Sequence, residues 1–114
     1  MADTRHNYTQ VPATQIREGV YRSMAYTDRL MITVMDFVNG PWEEPDPYHS
    51  HPHEQITYVA GGEVIFYCDD RPEQHLKEGD VIAIPSGVKH TIKVLTKKVR
   101  LIDSFTPVRK DFLT

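Results

Sequence analysis

At 114 residues the chain has room for one ordinary domain around one core, and no room for a second. Its formal net charge of −3 gives no electrostatic case for a nucleic-acid or membrane partner. A single cysteine, Cys68, excludes an intrachain disulfide and a CxxC zinc site, and no apolar run approaches the ~18 residues of a membrane-spanning helix. The polar start, Met1 to Gln10, lacks an apolar signal-peptide core, so a reducing, cytoplasmic setting is the expectation.

Residues 1–13 read as a polar N-terminal arm, either a tail or a strand added to a partner's edge, with Val11-Pro12 at its end; residues 14–114 form the domain. Ile16 to Tyr26 is mixed, with no helical stripe. Arg29 to Val38 is β-branched and apolar and predicts a strand, stopped by Asn39-Gly40-Pro41. Residues 41–48, rich in proline and acid, predict a loop. Gln55 to Ala60 and Glu63 to Cys68 predict two strands, with Gly61-Gly62 as a hairpin turn between them. A short extended piece at His75-Leu76 follows. Strands are then expected at Val81 to Ile84, His90 to Leu95 and Val99 to Phe105, separated by Pro85-Ser86-Gly87 and Thr96-Lys97-Lys98. Arg109 to Thr114 forms a tail. No segment carries an amphipathic helix, so the expected class is an all-β sandwich or barrel in a single domain.

Three histidines and a glutamine alternate in the stretch from His49 to Gln55. Neutral imidazole offers a lone pair to a metal, and an amide oxygen adds a harder ligand. On an extended strand His49, His51, His53 and Gln55 share one face, an inference that Pro52 interrupts. His90 shares its strand face with Ile92 and Val94 and so points inward.

The spacing His49-x-His51-x3-Gln55-x6-Gly62, with Gly79-x5-Pro85-x-Gly87-x2-His90, resembles the two motifs of the cupin superfamily. Gln55 stands where the family usually has Glu, and Val94 where it usually has Asn. The leading Gly of the first motif is displaced, since Gly40 lies too far upstream. The resemblance implies a double-stranded β-helix, the cupin jelly-roll barrel. It also implies one divalent metal ion (Ni, Zn, Fe, Co or Mn) held by His49, His51, Gln55 and His90. A Gln ligand leaves the ion its full +2 charge, which favours an anionic ligand. His53 is read as a surface residue, with a supporting role near the site as the other choice. His6 and His75 are read as surface residues.

Val99, Leu101, Asp103 and Phe105 share the inward parity of the last strand. A carboxylate among apolar side chains needs a cation, a metal or a proton. Arg109, just past Pro107, is placed to turn back across the barrel mouth. Acid/base chemistry on an anionic substrate would use such a pair; an Asp103–Arg109 or Asp103–Arg100 ion pair that merely fixes the tail fits the spacing equally.

The ending Asp-Ser-Phe-Thr-Pro-Val-Arg-Lys-Asp-Phe, with His-Ser-His-Pro-His-Glu-Gln and the small size, resembles the KdgF-type cupins of pectin and alginate degradation. That resemblance implies an isomerase-type sugar enzyme. Its reaction turns 4,5-unsaturated uronate monosaccharides, small anionic sugars, into linear 5-keto-4-deoxyuronate. Asp103 and Arg109 become the catalytic residues, with Phe105 and Arg109 binding substrate. A metal-dependent dioxygenase and a non-catalytic sugar-binding cupin are the alternatives. Exposed apolar strand positions such as Ile56 and Tyr58 imply a homodimer.

Overall fold

The computed structural model describes residues 9–113. They form nine strands: β1 (Thr9–Arg17), β2 (Val20–Tyr26), β3 (Met31–Phe37), β4 (Glu54–Gly61), β5 (Glu63–Cys68), β6 (Gln74–Lys77), β7 (Val81–Ile84), β8 (His90–Val94) and β9 (Val99–Thr106). A single 3-10 turn, Lys110–Leu113, follows. The strands make two antiparallel sheets, a six-stranded one in the order β1-β2-β3-β9-β4-β7 and a three-stranded one in the order β6-β5-β8. This is the expected all-β jelly roll. No helix of the described residues is long and apolar enough to cross a membrane.

Three stretches depart from the sequence expectation. Ile16 to Tyr26, read as mixed, lies in β1 and β2, which pair with each other. β1 runs straight through Val11-Pro12, while residues 1–8 of the expected arm, and His6 with them, lie outside the described residues. The Gly61-Gly62 turn does not close a hairpin. β4 bonds to β7 and β9, and β5 bonds to β6 and β8, so the two glycines carry the chain from one sheet to the other. Gly62 has φ +79° and lies tight against the Lys98 carbonyl, and a side chain satisfies neither condition. Two strands joined by glycines read alike in sequence whether they pair or change sheets. The physical difference lies in which edges their neighbours leave open.

The core sits between the sheets. Val59, Val64 and Val94 are fully buried, with Phe66, Ile82, Ile84 and Leu101 packed around them. Each such side chain contributes about 1.5–3 kcal/mol by leaving water. A second cluster, Met31, Phe105 and Val108, takes Met24, Tyr26 and Phe112 against it.

The inner face of the large sheet is ordered in cross-strand rows. Met31 faces Phe105, which faces Gln55. In the next row Met24 faces Thr33, Thr33 faces Asp103, and Asp103 faces Thr57. In the third, Arg22 faces Met35, which faces Leu101. The middle row sets Thr33, Asp103 and Thr57 abreast, and it defines the site.

The proline-rich segment 41–48 is the expected loop, but it is docked. Backbone N–H groups of Trp42 and Asp46 donate to the carbonyls of Val94 and Ile92, covering the open edge of β8. Trp42 packs edge-on against Phe37 at 5.6 Å, and Arg17 bonds Asp46 at 2.6 Å. At the end of this segment His49 and His90 exchange both backbone hydrogen bonds, 3.0 and 2.9 Å.

Candidate metal centre and its cavity

That exchange places the two histidines side by side with their rings 4.3 Å apart. The carbonyl of His51 accepts from the Gly87 N–H at 2.9 Å, so the turn after β7 pins the third imidazole. The His51 ring lies 5.0 Å from that of His90 and 5.9 Å from that of His49. One ring nitrogen of each residue lies within 4.8 Å of those of the other two. His51 and His90 are buried, and His49 sits at the rim.

The tautomers follow from the hydrogen bonds. His90 Nδ1 donates to the Val88 carbonyl at 2.9 Å, and His51 Nδ1 donates to the His53 carbonyl at 3.0 Å. Each Nε2 is then left with a lone pair. His90 Nε2 is buried and has no hydrogen-bond partner, an arrangement that costs about 1–3 kcal/mol unless something else accepts the lone pair. His51 Nε2 lies 3.0 Å from Gln55 Oε1, acceptor against acceptor. A cation answers both needs, and a set of three nitrogens and one amide oxygen suits a divalent transition metal. The four residues therefore fit the expected ion.

All three imidazoles are held in the neutral form that ligation requires. Burial is the first cause of each lowered pKa, with the positive charge of Arg109 adding to it. For His49, burial and the neighbouring His90 and His51 push the value down to about 4.

Asp103 lies on the same inner face, one row from Gln55. Burial raises its carboxyl to about 6, against the lowering effect of the Thr57 hydroxyl, the nearby Thr33 hydroxyl, Arg109 and Gln55. Thr57 Oγ1 donates to its Oδ1 at 2.6 Å. Neither expected ion pair forms. Arg100 engages Asp36 at 2.8 Å, and Arg109 engages Asp111 at 2.7 Å. Arg109 does turn back over the cavity, with its guanidinium 5.3 Å from the Phe105 ring and 4.1 Å from that of Phe112. Phe105 in turn stands 5.7 Å from the His51 ring. The cavity has a volume of about 420 Å³, and His49, Gln55, His90, Asp103, Phe105 and Arg109 all line it.

His53 is not a plain surface residue. It is half-buried, its Nδ1 has no partner, and its ring stands 5.5 Å from that of His51. His75 is exposed as expected and bonds Glu63 at 2.9 Å. Three contributors to the cavity region went unread in the sequence: Arg22, Thr57 and Phe112. Arg22 lines the cavity, stacks on Phe112 at 4.0 Å, and keeps a buried Nε without a partner. Its parity with Val20 and Met24 was the available signal. Thr57 shares its face with Gln55, two residues along the same strand.

The cupin domain family matches residues 35–105. The pectin degradation protein KdgF of Dickeya dadantii is 33% identical over 108 residues, 91% of this chain and 93% of that protein. The solved structure of KdgF from Halomonas sp. superposes with a TM-score of 0.78 at 27% identity, covering 89% of this chain and 92% of that one. An RmlC-like cupin from Shewanella frigidimarina gives 0.78 at 28% identity, covering 97% and 93%. The chain belongs to the cupin family, and within it to the group of the pectin degradation protein KdgF.

The histidine environment sets a pH dependence for the metal-free protein. The folded pKa of His49 lies below its ordinary 6.5, so its contribution to stability is fully present above 6.5 and is lost as pH falls towards 4. His51 and His90 act in the same direction. Asp103, displaced upward, gains stability on acidification from about 6 towards 3.8 and offsets part of that loss. Three histidines outweigh one aspartate, so urea unfolding of metal-free protein shows lower stability at about pH 5 than at about pH 7. Equal or greater stability at the lower pH contradicts this account.

Proposed function

We propose that this cupin is an enzyme that converts 4,5-unsaturated uronate monosaccharides, of the kind released from pectin or alginate, to linear 5-keto-4-deoxyuronate. The observation that carries the reading is the position of Asp103. It is a buried carboxyl, held near neutrality in its titration, on the wall of the cavity onto which the imidazoles converge. The likeness to the pectin degradation protein KdgF over nine-tenths of the chain supports the substrate class.

The reaction is an isomerisation. The hemiacetal C1–O5 bond breaks as the C1 hydroxyl gives up its proton, leaving an aldehyde at C1 and an enol at C5. The enol then loses its oxygen-bound proton while C4 gains one, giving the C5 ketone. Atoms balance with no oxidant or water. A carboxyl titrating at about 6 exists in both forms near neutral pH, so Asp103 can give and take these protons.

A divalent ion held by His49, His51, Gln55 and His90 supplies Lewis acidity toward the substrate's oxygens. Arg109 supplies positive charge for the substrate carboxylate, though not through its Nε–Nη2 edge. Its Nε and Nη2 edge already carries Asp111. Arg22, whose Nε has no partner, adds a second guanidinium on the same cavity wall. Phe105 walls the cavity beside His51 and excludes water from the reacting face.

The proposal extends to a homodimer. Ile32, Ile56, Tyr58 and Val81, each at least 41% exposed, lie on the outer face of the large sheet. Tyr58 pairs with Val81 across the adjoining β4 and β7, Ile56 shares that face of β4, and Ile32 stands beyond β9, so the β4–β7 end of the face is apolar, the sort of surface that a partner covers.

Two outcomes follow. Asp103→Asn keeps the metal content of the wild type but slows conversion by ~100-fold or more, followed as loss of the conjugated-alkene absorbance. Undiminished conversion removes Asp103 from the mechanism. Light scattering gives the mass of two chains, and Tyr58→Lys returns that of one; a monomeric wild type overturns the dimer.

A further inference from the structure

One chain of contacts crosses the inner face of the large sheet and is not used by the chemistry above. Asp103 Oδ1 accepts from Thr57 Oγ1 at 2.6 Å, and Thr57 Oγ1 accepts from Gln55 Nε2 at 2.9 Å. A hydroxyl has one proton. With that proton committed to a carboxylate, Thr57 can only accept from Gln55. The NH2 end of the Gln55 amide is thereby turned to Thr57, and Oε1 is turned to His51.

The resulting contact is unfavourable on its own. His51 spends its Nδ1 proton on the His53 carbonyl, so its Nε2 lone pair faces the Oε1 lone pair at 3.0 Å. A flipped amide would donate NH2 to that nitrogen and satisfy both groups without any ion. The observed orientation is the one that leaves two acceptors for a cation.

Packing alone gives no reason for the hydroxyl; its hydrogen bonds to Asp103 and from Gln55 do. Thr57 is fully buried between Gln55 and Val59 along one strand face, where valine has the same shape and no polar atom to satisfy. A glutamate at position 55 would need no such device, because either of its oxygens accepts. The glutamine does need it.

We propose that Thr57 is a positioning residue. Anchored by Asp103, it locks the Gln55 amide with its oxygen toward the metal. This gives Asp103 a second role, and it rests on the reading of His49, His51, Gln55 and His90 as a divalent-metal site.

The test is Co(II) affinity of the full chain, measured by chelator competition on the cobalt absorption bands. Thr57→Val weakens Co(II) binding by ~10–100-fold, the usual loss when a group behind a metal ligand is removed. Thr57→Ser, which keeps the hydroxyl, stays within ~3-fold of the wild type. In a Gln55→Glu background, where no amide can flip, adding Thr57→Val changes affinity by less than ~3-fold. Wild-type affinity in Thr57→Val, or the same loss in the Gln55→Glu background, overturns the positioning role alone. A wild type that takes up no Co(II) overturns the metal reading, and this role with it.

Discussion

The site depends on a pair of backbone hydrogen bonds. His49 and His90 belong to segments far apart in sequence, one a proline-rich loop and the other the start of a strand. Each donates its N–H to the other's carbonyl, which fixes the spacing of their imidazoles before any ligand is bound. The loop reaches that position because Trp42 and Asp46 have already bonded along the edge of β8. The same bonds cap an edge that would otherwise be open to pairing with another chain. Structure and site therefore share one device: the segment that protects the small sheet also delivers His49 to the imidazole cluster.

Around this anchor the large sheet sets a polar row into an apolar face. Thr33, Asp103 and Thr57 lie abreast on β3, β9 and β4, between rows built mostly of aliphatic and aromatic side chains. Burying a carboxylate there is unfavourable, and the raised pKa of Asp103 records the cost. A core selected for stability alone would hold leucine or valine at that position. Asp103 is the member of the row that lines the cavity, and packing alone gives no reason for it there.

Much of this was legible in the sequence. The spacing of His49, His51, Gln55 and His90 resembles a known pair of motifs, and the structure sets His49, Gln55 and His90 on one cavity with His51 against Gln55 and His90. The inward parity of Val99, Leu101, Asp103 and Phe105 is also what the strand shows. What escaped was long-range partnership. An Asp103–Arg109 ion pair was one of the alternatives that the spacing left open, yet the local turn hands Arg109 a different partner, Asp111, two residues on. Gly61-Gly62 was read as a hairpin because turn chemistry is local, whereas sheet membership is decided by distant strands. Arg22 was missed because one charged residue broke an otherwise apolar alternation, and charge at an inward position is itself the mark of a site. The comparison with KdgF relatives gives the family; the polar row, the converging lone pairs and the two guanidiniums are what this chain brings to the reaction proposed for it.

The central claim is that this cavity opens unsaturated uronates with the help of a bound divalent ion. Its most direct test is to incubate metal-loaded protein with lyase-generated unsaturated galacturonate and with unsaturated mannuronate/guluronate monomers, each with and without a chelator. The account predicts loss of the alkene absorbance with at least one of them, abolished by the chelator and restored by added metal. Unchanged absorbance of both monomers with the metal-loaded protein would contradict it.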